Sequence, residues 1–209
     1  MKVKSRWVNP NGIVIAACLN QNLISAKIRD ELIRLRSEPW TTHPNLRDYS
    51  GGWDVLPLRC SVEHQNAHPI LQGFAIEGGS LWQNLPCLNA SRNLLKLLET
   101  VQCPLKSVRL MRLAPGAQIK PHRDRELAWE FGEARLHLPL CTDPNVHFVI
   151  DGETIPMQAG ELWYMNADRE HSVTHNGIVE RIHLVIDCEV DHWLKNAIVG
   201  NSRSALCKT

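Results

Sequence analysis

Arg181-Ile182-His183-Leu184-Val185-Ile186 places Ile182, Leu184 and Ile186 on one side of an extended chain and Arg181 and His183 on the other. Arg135-Leu136-His137-Leu138-Pro139-Leu140 repeats the arrangement, with its leucines in one row and Arg135 and His137 in the opposite row. Alternation with a period of two marks a strand that has one apolar face. Similar short runs occupy Ser107 to Leu113, Val146 to Ile150, Glu161 to Asn166 and Val179 to Cys188. Between them stand the turn sequences Ala114-Pro115-Gly116, Thr142-Asp143-Pro144-Asn145, Asp151-Gly152 and Asn176-Gly177. Strands at regular intervals with a turn behind each predict an antiparallel sandwich or jelly roll.

Outward from this region the pattern changes. Ile24, Ile28, Leu32 and Leu35 recur at helical spacing and predict a helix over Asn22 to Glu38, capped by Asn22 or Ser25 and stopped by Pro39. A second helix is expected from Ser91 to Val101, with Leu94, Leu95, Leu97, Leu98 and Val101 on one face. Both suit the padding of a sheet, and Ile13 to Cys18 reads as a first strand. Trp40 to Pro86 is rich in turn residues, including Asp48 to Trp53 and Glu77-Gly78-Gly79-Ser80, and reads as loops that can line a site. Gly200 to Thr209 reads as a frayed tail. The expected protein is mainly β with flanking helices. It forms a single domain over 1–209: a helical and loop-rich part at 1–105, a jelly-roll core at 106–190 and a tail at 191–209.

Composition removes several function classes. Lys+Arg 23 against Asp+Glu 22, without a basic run, argues against a nucleic-acid partner. Seven scattered cysteines without a CxxC pair fit reduced thiols and a cytoplasmic location. Lys2, Lys4 and Arg6 ahead of Ile13 to Cys18 superficially look like a bacterial lipoprotein leader. The apolar stretch is too short for one, however, and Asn9-Pro10-Asn11-Gly12 interrupts it. No apolar run is long enough to cross a bilayer, so no membrane association is expected. GxSxG, GxxxxGK[ST], GxGxxG and HExxH motifs are absent, which disfavours hydrolase, NTPase and dinucleotide chemistry.

The candidate chemistry lies in three places. His122 and Asp124 share one side of an extended segment just after a Pro-Gly turn and can present an imidazole and a carboxylate to one ion. His171, in Asp168-Arg169-Glu170-His171-Ser172, can complete a face of two histidines and one carboxylate, which suits an octahedral Fe(II) with positions left open. Arg181 begins the strand quoted first, on its polar row. A buried arginine there needs an anionic partner, and a dicarboxylate would supply one through a bidentate pair. Each feature alone has a plainer reading: a solvated turn, a structural histidine, an internal salt bridge. Zinc accepts the same three ligands, and a cupin-like protein could hold a metal or small ligand without turnover.

Taken together, several motifs between about Ser107 and Cys188 resemble one family. They are the HxD of His122 and Asp124, the RxHL of Arg135 to Leu138, Gly160-Glu161-Leu162-Trp163, the distal His171 and the RxHLVID of Arg181 to Asp187. The family is the aspartyl/asparaginyl β-hydroxylase group of Fe(II)- and 2-oxoglutarate-dependent oxygenases, which includes bacterial free-proline hydroxylases. The Trp40 to Trp53 loop carries the resemblance more weakly. The resemblance implies a double-stranded β-helix of cupin-like form, with His122 and His171 as iron ligands. Asp124 completes the triad where the family's animal enzyme has glycine. It further implies that Arg181, and Arg135 with His137, bind the two carboxylates of 2-oxoglutarate; Met111 stands where the animal enzyme has a serine that contacts the cosubstrate.

The implied reaction hydroxylates an unactivated carbon of an amino acid or peptidyl residue with O₂, while 2-oxoglutarate is decarboxylated to succinate. The chain's small size favours a small-molecule or short-peptide substrate over a protein partner. Candidate substrate contacts are Arg109, Arg112, Arg123 and Arg47, with Trp53 and Trp129 as possible walls and Trp163 expected in the core.

Overall fold

A computed structural model of the protein describes residues 6–74 and 81–200. The first part of the chain contains β1 (Arg6–Val8), β2 (Val14–Asn20), α1 (Ala26–Leu35), β3 (Thr41–Thr42), β4 (Tyr49–Ser50), β5 (Trp53–Ser61), α2 (Pro69–Phe74), β6 (Trp82–Asn84), α3 (Pro86–Asn89) and α4 (Arg92–Leu98). The second part contains β7 (Leu105–Leu113), β8 (Gln118–His122), β9 (Glu133–Cys141), β10 (Val146–Ile150), β11 (Glu153–Ile155), β12 (Leu162–Met165), β13 (His171–His175), β14 (Arg181–Glu189) and α5 (His192–Gly200).

Two antiparallel sheets face each other as a jelly roll. The larger runs β1-β2-β12-β9-β14-β7-β5-β3, with β6 also paired to β5, and the smaller runs β11-β10-β13-β8-β4. One apolar cluster fills the space between the outer face of the larger sheet and α1, α3, α4 and α5; it contains Ile28, Leu94, Leu136, Leu184 and Leu194. A second lies between the sheets and contains Ile119, Phe148, Trp163 and Val185. The alternation of β14 and β9 has a direct structural meaning. Their aliphatic rows face the helices, and Arg181, His183, Arg135 and His137 project between the sheets.

The expected helices form, shorter than their apolar periodicity suggested. α1 starts at Ala26 because Ser25 Oγ accepts the Ile28 N–H at 3.3 Å, whereas Asn22 takes a left-handed φ of 61° that a helix excludes. The N-terminal part is not mere padding, because β1, β2 and β5 pair into the larger sheet. β5 lies within the stretch read as loops. Its run Trp53-Asp54-Val55-Leu56-Pro57-Leu58-Arg59-Cys60-Ser61 is buried on both faces over much of its length, so it shows no alternation, and Pro57 argues against a strand. The tail expected from 191 onward instead begins as a helix, α5, whose Leu194 and Ile198 are fully buried in the outer core. The Glu77–Ser80 turn, the leader-like Lys2 and Lys4, and residues 201–209 lie outside the described residues. Among the described residues no helix is long and apolar enough to cross a membrane.

Candidate metal centre and its cavity

Strand register brings the first two candidate ligands together. β8 and β13 pair with His122 directly opposite His171, and the two ring centroids are 4.2 Å apart. Asp124 follows the end of β8, where its N–H donates to the Ala167 carbonyl at 2.9 Å. One ligand atom from each of the three residues falls within 4.8 Å of the others.

Both rings are held in the same way: Nδ1 of His122 lies 2.8 Å from the Lys120 carbonyl, and Nδ1 of His171 lies 2.9 Å from the Arg169 carbonyl. A carbonyl can only accept, so each Nδ1 carries the hydrogen and each Nε2 keeps its lone pair for an ion. Burial, with His122 as a lesser cause, pushes His171 down to about 4, which keeps it neutral and able to ligate. Two oriented imidazoles and one carboxylate fit a six-coordinate ion such as Fe(II) with three positions to spare.

These residues line a cavity of about 830 Å³ between the sheets, together with His43, Trp53, Phe148, His137 and Arg181. Arg181 is 2% exposed, and no carboxylate contacts it among the described residues. Its guanidinium lies 5.7 Å from the Phe148 ring centroid, and its Nε donates to His183 Nε2 at 3.0 Å. Arg181 Nη2 also lies 2.9 Å from His183 Nδ1, which in turn is 3.2 Å from His137 Nδ1. His137 Nε2 is a buried atom without a partner among the described residues. The result is a cation and an unpaired imidazole nitrogen in one wall, without a built-in anion among the described residues. Burial pushes Arg181 down to about 9 and holds His137 and His183 well below the ordinary histidine range, in each case as the leading cause.

Arg135 lines the same cavity and is engaged by two carboxylates. Its Nε and Nη2 donate to Asp187 Oδ1 and Oδ2 at 2.7 and 3.1 Å, and its Nη1 contacts Asp124. Asp187 also receives Arg109 Nη1 at 2.7 Å, and both of those side chains are fully buried. Burial alone would push the Asp187 carboxyl up, but Arg109 and Arg135 outweigh it and hold it well below the usual carboxylate range. Burial likewise opposes ionisation of Asp124, and Arg135, His171 and His122 reverse the effect. Arg135 therefore ties Asp124 to a buried charge network. Asp187 faces Arg135 across β14 and β9, a pairing that sequence spacing alone does not reveal.

Of the substrate candidates, Trp53 lines the cavity, while Arg109, Arg112, Arg123 and Arg47 do not. Arg109 is committed to Asp187. Arg112 pairs with Asp54 at 2.9 Å and lies 4.5 Å from the Trp40 ring centroid, and Arg123 and Arg47 are exposed. Trp163 is in the inter-sheet core as expected, and Trp129 packs against the outer core. Met111 lines the cavity.

Residues 24–190 match the family described as Aspartyl/Asparaginyl beta-hydroxylase. The chain belongs to this family. Among curated relatives, the L-proline cis-4-hydroxylase of Rhizobium meliloti (strain 1021) is 34% identical over 143 residues, covering 66% of this chain and 48% of the relative. The chain thus spans about half the length of that relative. A solved 2OG-Fe(II) oxygenase family oxidoreductase from Burkholderia pseudomallei has the same fold, with a TM-score of 0.53, 15% identity and coverage of 83% of this chain and 84% of that one. Within this β-hydroxylase family chain, His43 lines the cavity while His183 and Asp187 hold Arg181 and Arg135 beside it, and motif reading assigned none of the three to the site. His183 and Asp187 sat in plain view on the polar row of β14. His43 sits before β4 in the turn-rich stretch, where no periodicity marks it.

Proposed function

We propose that the protein is an Fe(II)- and 2-oxoglutarate-dependent dioxygenase that hydroxylates an unactivated carbon of an amino acid or peptidyl residue. His122, Asp124 and His171 hold the iron, and Arg181 with His137 receives a carboxylate of 2-oxoglutarate. Arg135 serves the site by orienting Asp124. When bound, iron and 2-oxoglutarate supply the oxidising power, the cosubstrate leaving as succinate and CO₂ while one oxygen of O₂ enters the substrate. The protein contributes two oriented imidazoles, a carboxylate kept ionised, and a buried wall that carries the Arg181 cation and the His137 ring.

The observation that carries this reading is Arg181, a buried guanidinium with no carboxylate against it among the described residues. Such a charge is costly unless an anion joins it. A protein that only stored a metal would have no use for it, which disfavours a non-catalytic cupin-like binder. The name of the Rhizobium relative supports a free amino acid as substrate. The six described cysteines form no disulfide with one another, which supports a reducing compartment such as the cytoplasm.

The test is anaerobic addition of Fe(II) and 2-oxoglutarate, watched for the weak visible metal-to-ligand charge-transfer band. The band should appear in the wild type and vanish in Asp124→Ala and Arg181→Ala. A folded, metal-loaded protein that shows no band would overturn the proposal in favour of a zinc site or a binding protein.

A further inference from the structure

His43 occupies the cavity without taking part in either the iron face or the cosubstrate wall. It is 9% exposed and fixed at several points. Its backbone N–H donates to the Trp53 carbonyl at 2.8 Å, and its own carbonyl accepts the Tyr49 hydroxyl at 3.1 Å. Its ring stacks on Trp53 at 3.5 Å between centroids and 6° between planes, and the edges of Tyr49 and Phe74 close the box at 5.9 and 4.7 Å. A ring held this way has one orientation and cannot turn to suit a ligand.

The orientation also fixes the proton. The Asn45 N–H donates to His43 Nδ1 at 3.3 Å, so Nδ1 carries a lone pair and the hydrogen of the neutral ring is on Nε2. Nε2 has no hydrogen-bond partner among the described residues, and it belongs to a side chain that lines the cavity. Burial leads the causes that lower His43 to about 4, followed by the charges of Arg109 and Arg135, so the ring stays neutral at physiological pH. Asp124 and His122 lie near enough to act on the same proton.

We infer that His43 orients the substrate: its Nε2–H donates to a carboxylate or carbonyl oxygen of the amino-acid unit and so aims the reacting carbon at the iron face. The inference rests on the proposed dioxygenase reading. The acceptor is an oxygen because the fixed tautomer offers a hydrogen and nothing else. The aromatic box gives the donor its precision, which a lone surface histidine would lack.

Two variants separate this role from a structural one. His43→Phe keeps an aromatic ring against Trp53 and removes the donor; His43→Gln restores an N–H near the position of Nε2. Both are compared with the wild type for the Fe(II)–2-oxoglutarate band and for its perturbation by L-proline. L-prolinamide and the other proteinogenic amino acids follow, the amide distinguishing a carbonyl acceptor from a carboxylate. In His43→Phe the band and the 2-oxoglutarate affinity should stay as in the wild type. The apparent Kd and KM for the amino acid should rise about tenfold or more, and the fraction of 2-oxoglutarate turnovers that yield hydroxylated product should fall. His43→Gln should recover most of that loss.

A His43→Phe protein with unchanged amino-acid affinity and unchanged coupling overturns the inference. So does a wild-type protein that forms the band while no amino acid or amide perturbs it. A wild type without the band overturns the dioxygenase reading itself, so the two failures are distinguishable.

Discussion

The two faces of β7, β9 and β14 are built from the same strands and have opposite chemistry. Toward the helices they present Val108, Leu110, Leu136, Leu138, Ile182, Leu184 and Ile186, all fully buried. Toward the smaller sheet they present Arg109, Arg135, His137, Arg181, His183 and Asp187 among apolar neighbours. The helix-side face stabilises by removing aliphatic area from water. The cavity face buries charge and can be stable only where each charge is paired or awaits a ligand. One sheet thus serves two ends: the aliphatic face anchors the strands so that the other face can hold costly groups in fixed positions.

The largest expected effect falls on the cavity face. Asp124→Ala should lower iron affinity by more than the roughly 10- to 100-fold that loss of an outer partner typically causes, with little loss of thermal stability; equilibrium titration with Fe(II) under anaerobic conditions measures it. Asp187→Ala should strike both stability and the site, because it strands Arg109 and Arg135. A loss of about 3–5 kcal/mol is expected from denaturant melts, and iron affinity should fall as Arg135 loses its anchor. Retained stability would show that the charge network is not what holds this face.

On the opposite face, Leu184→Ala should cost about 2–5 kcal/mol yet leave the charge-transfer band intact under conditions where the variant is folded. Loss of the band in folded Leu184→Ala would erase the division of labour between the faces.

Acid should also act through the cavity face. His43, His137 and His183 have folded values below the ordinary 6.5, so the unfolded chain takes up their protons first. Their contribution is whole above about pH 6.5 and drains as the pH falls below it, that of His43 down to about 4. The Tm of the metal-free protein should drop by about 5 °C or more between pH 7 and pH 5. A flat profile would break the account. The smallest effect belongs to Arg112→Ala, which removes a partly exposed pair with Asp54 outside the cavity: about 1 kcal/mol or less, with cosubstrate binding unchanged.

Much of this was legible in the chain. Alternation in Arg135 to Leu140 and Arg181 to Ile186 assigned each residue to one face, because side-chain direction along a strand depends only on local backbone geometry. The spacing of His122 and Asp124 and the candidacy of His171 and Arg181 were equally local. β5 was not legible, because a strand buried on both faces has no alternation to detect. The commitment of Arg135 to Asp187 and Asp124 was hidden too, since a cation on a polar row shows its side and not its partner. What the sequence determined by itself was thus periodicity, turns, and which residues share a side. The tertiary structure decided the register that sets His122 against His171, the carboxylate that claims Arg135, and the place of His43 in the cavity wall. Those are pairings between distant segments, fixed by the packing of whole sheets and not by the few residues that meet.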